Sequence, residues 1–590
     1  MKHHRKLFAL LVVTMLVLSL AACQSAAPTA APATSAPATE APASEAPATA
    51  TPEPTPEPLT ITAFAETSNY SGEQPGWFAK VLKDKFNLTV NIEGQGTGGG
   101  DTVFATKLVS GELGDYIVFG DNAEHIKQAI SAGLLLDWNK DDLLTKYGAD
   151  ITANYAKAIE YNKTQYGNGT AVYGIGHDCF NSSEGPGELT DFTWGPYLRW
   201  DLYAKLGYPE ITEMEDYLKV LKDMQALEPK TADGKPVYAF SFWKDWDGSH
   251  MMNAKQFACM QGYNDDTGGL VLVHYSEPKY QDILQEDGYY LRTLKLYFDA
   301  NQMGLVDPES PTQNWDAMYA KATAGQFLFN WFSWLRPMNT VENSAVGKGL
   351  MLVPFKNEIV CSYGKNVYGG QRITSIGASC KNPDRVMQLI NWMCSPDGVM
   401  TVTNGPEGLG WNYGSDGKAS LTALGKKIKI SKETIIPDEW GGGKFGDGEN
   451  KFSYPMVNRN SINPKTNEPF DWSGWGTTLT DPECVTKLDL DWQAKMGAKS
   501  SLEWFQKNGK IAVSVPTATK VDNTLPDDLK AKLDQIGSKI REYSWRMVFA
   551  KDQAEFDSLK TELISTCKGL GYDEVKAANI KMAEQLFALR

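Results

Sequence analysis

"LTITAFAETSNYSGEQPGWFAKVLKDKFNLTVNIEG" runs from Leu59 to Gly94, and its two ends share one pattern. Leu59–Glu66 alternates apolar and polar positions with β-branched residues, which predicts a strand. Pro75–Asn87 carries apolar side chains at helical spacing, and Leu88–Gly94 alternates again. The unit then recurs. "DTVFATKLVSGEL" predicts a helix and "DYIVFGD" (Asp115–Asp121) a third strand. Strand, helix, strand, helix, strand implies a parallel sheet with right-handed crossovers, an α/β fold.

Further along, "EHIKQAISAGLLLDW" continues with an amphipathic helix. Tyr197–Gln225 reads as strongly helical, and "DGKPVYAFSFW" as turn and strand. Gln281–Gly304 predicts one long helix closed by Gly304. "NWDAMYAKATAGQFLFNWFSW" reads helix, turn, strand. Helices are expected at Asn382–Met393 and Asp528–Arg546, and Glu555–Arg590 reads as helix, Gly turn, helix. No internal repeat is visible.

Upstream of Leu59 the character changes. Gln24–Pro58 is almost entirely Ala, Pro, Thr, Ser and Glu, too poor in apolar residues to offset its ordering entropy. Held extended by proline, it could reach on the order of 100 Å at ~3 Å per residue. Before it, a basic end (Lys2 to Lys6) precedes an apolar run, Leu7–Leu20, short for a membrane span. Small residues follow, then Cys23: the pattern of a secretory signal over residues 1–22. "LAAC" (Leu20–Cys23) resembles the lipobox of bacterial lipoproteins, which implies cleavage before Cys23 and a lipid anchor on it.

The chain has 590 residues, 42% hydrophobic, with a net charge of -15, ample for more than one lobe. An acidic body repels phosphates, so nucleic acid is not an expected partner. Cys23 aside, seven cysteines remain, an odd number, and no two sit at C-x-x-C spacing. That argues against a zinc site or redox pair, and no metal or cofactor is expected.

Several motifs are weighed and set aside. "GQGTGGG" (Gly94–Gly100) matches a dinucleotide fingerprint with Asp115 downstream, but it reads better as a flexible loop at a strand end. "DWNKDD" (Asp137–Asp142) resembles a calcium loop yet lacks the Gly at its sixth place. No G-x-S-x-G or H-E-x-x-H occurs, so an enzyme is not expected. Paired carboxylates meet only in space, so a glycan hydrolase stays open as an alternative.

The positive signal is aromatic. "NWFSWL" (Asn330–Leu335) follows a strand, "GPEGLGWNY" (Gly405–Tyr413) sets Glu407 and Trp411 on a Gly-rich loop, and "WKDWDG" (Trp243–Gly248) and "DWSGWG" (Asp471–Gly476) repeat the theme. Indole faces beside carboxylates suit sugars, whose C–H faces stack while hydroxyls donate to oxygens.

Taken in order, the lipobox and spacer, "VSGELGDYIVFGD", "YLRWDLYAKLGYPEITEMEDYLKVLKDMQ", "AGQFLFNWFSW" and "CKNPDRVMQLINWMCSPDGVMTVTNGPEGLGW" resemble extracellular solute-binding lipoproteins of bacterial carbohydrate ABC transporters, in the maltose-binding-like group. Where many relatives carry Pro before the Asp of that first motif, this chain has Gly114. The resemblance implies a two-lobed, periplasmic-binding-protein-like fold of type II, with a ligand cleft between lobes joined by a hinge. It implies a first lobe over residues 59–176 with a return over 361–413. A second lobe is implied over 177–360, and mainly over 414–590. It implies capture of a sugar by a monomer tethered to the membrane's extracellular face through Cys23, and delivery to permease subunits. A peptide or lipid-linked ligand stays open within the same fold. The implied ligand residues are Glu66, Tyr70, Asp121, Arg372 and Glu407, with Trp194, Trp243, Trp331, Trp334 and Trp411; Trp331, Trp334 and Trp411 are the expected stacking platforms. Arg199 and Asp201 are either part of the site or a structural ion pair.

Overall fold

The computed structural model describes residues 56–95, 101–120, 122–370, 372–453, 455–519, 521 and 524–590. Cys23, residues 24–55 of the Pro-rich spacer, residues 96–100 of the Gly-rich loop and Asp121 lie outside them.

The opening stretch folds as its pattern requires. Leu59–Ala65 pairs in parallel with Leu88–Gly94 on one side and Tyr116–Phe119 on the other. The helix between the first two, Gly76–Phe86, buries Trp77, Phe78 and Leu82. It stops at Asn87, whose left-handed backbone (φ 48°) turns its N–H back to the carbonyls of Leu82 and Lys83. Leu88 can then begin the next strand at once. Far along the chain Ile373–Ile376 joins the same sheet, antiparallel to Tyr116–Phe119. Ile175–Gly176 closes that edge and Gly72–Glu73 the other.

Two separate apolar cores define two lobes. One gathers Ile61 to Cys179 and Ile376 to Trp475; the other gathers Phe192 to Cys361 and Leu488 to Met582. A small third cluster around Phe64, Phe119 and Ile373 covers the opposite face of the first-lobe sheet. The chain therefore passes between lobes three times, near residues 180–191, 362–372 and 476–487. The second lobe carries an antiparallel sheet of Phe329–Phe332, Trp194–Arg199 and Leu350–Leu352 under long helices.

Four expectations need correction. Residues 419–475 pack into the first-lobe core, not the second: Ile428, Phe445, Phe470 and Trp475 are buried there. The stretch read as one helix from Tyr197 begins as strand, because Trp194–Arg199 is paired along both edges; helix occupies Trp200–Lys205 and Tyr217–Leu227. The Pro236–Trp243 stretch forms only isolated bridges, at Pro236, Tyr238 and Phe240, and the long helix starts at Tyr289 rather than Gln281. At Trp194–Arg199 pairing with distant chain overrode local propensity.

Candidate functional site

The crossings lie side by side. Gly187 donates its N–H to the Tyr363 carbonyl at 2.8 Å, and Phe180 to that of Asn366 at 2.7 Å. Over them lies a cavity of about 630 Å³. Its floor is crossing chain: Glu188, Asp191, Tyr363 and Gly364. One wall is the second-lobe loop Ser333–Arg336, with Trp334; the other is first-lobe chain at Asn458, Arg459, Asn460 and Asp471. A cavity whose walls come from both cores has the placement of an interlobe ligand cleft. A smaller cavity of about 230 Å³ shares Asp191, Arg336 and Ser473 with it and runs on toward Lys499 and Trp492.

Trp334, one of the expected stacking platforms, lines this cavity. It follows the strand Phe329–Phe332, stacks on Phe332 with ring centres 4.7 Å apart, and keeps 51% of its surface exposed. It does not stand alone. Trp246 and Trp315 stack on each other at 4.4 Å and lie 5.9 and 6.0 Å from Trp334. Tyr319 extends the group 5.5 Å beyond Trp315. Trp246 is 42% and Tyr319 43% exposed. The ledge is held from beneath: Asp245 Oδ2 accepts the backbone N–H of Trp315 at 2.7 Å, joining the 243–248 loop to the helix Trp315–Thr323. Across the cavity floor Tyr363 is also 51% exposed.

Other expected residues do different work. Trp331 and Trp243 are buried and stack on each other at 6.1 Å beneath the ledge. Trp411 is buried in the first-lobe core, its indole N–H donating to the Gly405 carbonyl at 2.9 Å, so neither Trp331 nor Trp411 offers a face to a ligand. Trp194 is buried beneath Tyr363, ring centres 5.2 Å apart, and its N–H donates to Gln256 Oε1 at 2.8 Å. It supports a platform rather than being one. Glu407 is on exposed first-lobe surface, accepting the Tyr413 N–H, and does not line the cavity.

Glu66 ends the strand Leu59–Ala65 with its carboxylate turned inward. Oε2 accepts the Gly120 N–H at 2.6 Å and Oε1 bonds His125 Nδ1 at 2.7 Å. It ties neighbouring strand ends together. Tyr70 donates its hydroxyl to the Glu73 carbonyl at 2.9 Å. The Arg372 carbonyl accepts the His177 N–H at 2.8 Å, and Arg372 is not among the cavity lining. Arg199 is a structural ion pair: its fully buried guanidinium holds Asp201 at 2.9 Å and Glu228 at 2.9 Å. That pairing outweighs the burial which would otherwise lower its pKa, and holds Glu228 below the usual carboxylate range against its own burial.

The polar groups that do line the cavity are mostly committed. Arg336 pairs with Asp191 at 3.0 Å, and Arg459 with Asp471 at 3.3 Å. Glu188 accepts the Ser362 hydroxyl, and burial pushes its carboxyl up to about 7 despite that bond. Asn460 donates to the Gly187 carbonyl at 2.8 Å, while its Oδ1 is buried with no hydrogen-bond partner among the described residues. A buried orphan acceptor costs about 1–3 kcal/mol. Sequence reading missed Glu188, Asn460, Trp246, Trp315 and Tyr363. Only the "WKDWDG" motif flagged any of them, and it drew attention to the wrong indole.

No family model matches the chain, and no curated protein does. Solved structures match in shape. The alginate-binding protein AlgQ2 without calcium ion superposes with a TM-score of 0.55 at 15% identity, over 90% of this chain and 98% of that one. An HMO binding ABC-transporter associated solute-binding protein from Bifidobacterium longum infantis gives 0.55 at 14% identity, over 90% and 99%. The S. pneumoniae ABC-transporter substrate binding protein FusA in complex with kestose gives 0.53 at 15%, over 90% and 100%. The chain has the two-lobed α/β fold of these solute-binding proteins, which are binding proteins rather than enzymes.

Proposed function

We propose that this protein captures a sugar or oligosaccharide in the cleft between its lobes and delivers it, unaltered, to an ABC importer. The observation that carries the reading is the interlobe cavity itself, with the exposed Trp334 on its second-lobe wall, the exposed Tyr363 on its floor and the polar side chains of Asn458 and Asn460 on its first-lobe wall. Exposed indole and phenol faces suit pyranose C–H faces, and polar side chains suit hydroxyls. The structural neighbours, bound by name to alginate, HMO and kestose, point the same way. Contact with both lobes at once gives the ligand differential affinity for the closed arrangement, and that drives closure. A lipid on Cys23 with the Pro-rich spacer would hold the body at the extracellular face of the membrane as a monomer presented to permease subunits.

A hydrolase reading has one observation in its favour: Glu188, a cavity carboxyl pushed up to about 7, has the pKa of a general acid. The second carboxylate would have to be Asp178, since Asp191 and Asp471 are each held by an arginine. Incubating the protein with oligosaccharides while following thermal shift and reducing ends separates the two. Binding raises the melting temperature and leaves the glycan whole; hydrolysis releases new reducing ends.

A further inference from the structure

The charge inside the cavity carries the reading one step further. Four carboxylates line it (Asp178, Glu188, Asp191 and Asp471) and only two cations, Arg336 and Arg459. Each guanidinium is already within ion-pair distance of one of those carboxylates. Carboxylates thus outnumber cations in the lining, and each cation already has a carboxylate partner. An anionic group brought into such a place loses its hydration and meets an excess of carboxylates over cations that are already paired, which is costly; a hydroxyl meets acceptors. Glu188 fits the same picture. Seated where the first and second crossings meet, with Ser362 donating to it and its carboxyl pushed up to about 7, it offers a hydroxyl either a proton or a lone pair at neutral pH. The ledge of Trp246, Trp315 and Tyr319 running out from Trp334 adds uncharged, stacking surface.

Resting on the carbohydrate reading above, we propose that the cleft selects uncharged saccharides and turns away those bearing a carboxylate or sulfate, with the Asp191–Arg336 pair acting as the specificity determinant. Asp191 does this by matching the charge of Arg336, the arginine two residues from Trp334, before an acidic sugar reaches it.

The test uses the full chain on a glycan array that carries neutral oligosaccharides beside sialylated, uronate-bearing and sulfated counterparts. Calorimetry then follows on one matched neutral and acidic pair, for wild type and Asp191→Asn. The expected result is binding to neutral glycans, with acidic counterparts weaker by roughly tenfold or more, the factor that 1.4 kcal/mol represents. Asp191→Asn, by releasing Arg336, should raise the acidic-to-neutral affinity ratio several-fold. A thermal melt reports whether the variant folds, and Arg336→Gln in the same background should cancel the gain. Equal or tighter binding of acidic glycans by the wild type overturns the selectivity and leaves the carbohydrate reading standing. An affinity ratio unmoved in a folded Asp191→Asn protein removes that pair as the determinant. No binding to any glycan overturns the carbohydrate reading, and this inference with it.

Discussion

Single residues decide how the site works, and two of them give sharp expectations. Trp334 exposes half its surface over the cavity, so Trp334→Ala should weaken saccharide binding by roughly 1–3 kcal/mol, the range for stacking on an aromatic ring, as read by calorimetry. An unchanged affinity would place the ligand elsewhere. Glu188 has its carboxyl raised by burial from an ordinary 4.5 to about 7. The unfolded chain releases that proton earlier than the folded one as pH rises. The resulting loss of stability is absent below about pH 4.5, grows between there and pH 7, and is constant above, near 3 kcal/mol at about 1.36 kcal/mol per unit. Glu188→Gln should therefore stabilise the protein in urea at pH 8 and leave it unchanged at pH 4; an equal effect at both would refute the assignment. The sequence showed which residue types the site uses, but not which copies. Trp331 and Trp334 are three apart on one strand-to-loop run, yet one is buried beneath the ledge and the other exposed. What separates them is the packing of Trp243, Phe242 and Tyr297 against Trp331.

Secondary elements were legible where local pattern and tertiary partner agree. The three parallel strands and the helix Gly76–Phe86 come straight from alternation and helical spacing. Trp194–Arg199 did not, because its identity depends on two partners more than a hundred residues away in sequence. At the end of that strand Arg199 holds Asp201 and Glu228 in the second lobe. Arg199→Ala leaves two carboxylates facing each other and should cost about 3 kcal/mol of stability without a direct effect on ligand contacts, checked by denaturant melts beside calorimetry. The crossings are equally tight. A Cβ at Gly364 would come within 2.4 Å of the Ser514 carbonyl oxygen, so Gly364→Ala must push the strand Val360–Tyr363 away from its partner Ile511–Ser514. A loss of about 1–3 kcal/mol is expected, the usual cost of overpacking. No loss would mean that this crossing is loosely held.

At the scale of the whole molecule, the two lobes followed from the order of many weak signals, while their boundaries did not. Residues 419–475 return to the first lobe because Phe445 stacks on Trp77 and Trp475 packs on Trp411, contacts that bring distant segments together and leave no local mark. The candidate site exists only at this scale: its walls come from chain near 190, 334, 363 and 459, each unremarkable alone. The central claim is that an intact saccharide lies between those walls. A crystal structure of the protein soaked with its tightest-binding oligosaccharide tests this most directly. The account requires an uncleaved glycan with a sugar face on Trp334 and a hydroxyl bonded to the side chain of Asn458 or Asn460. A glycan bound outside the cleft, or one cut at its glycosidic bond, would contradict it.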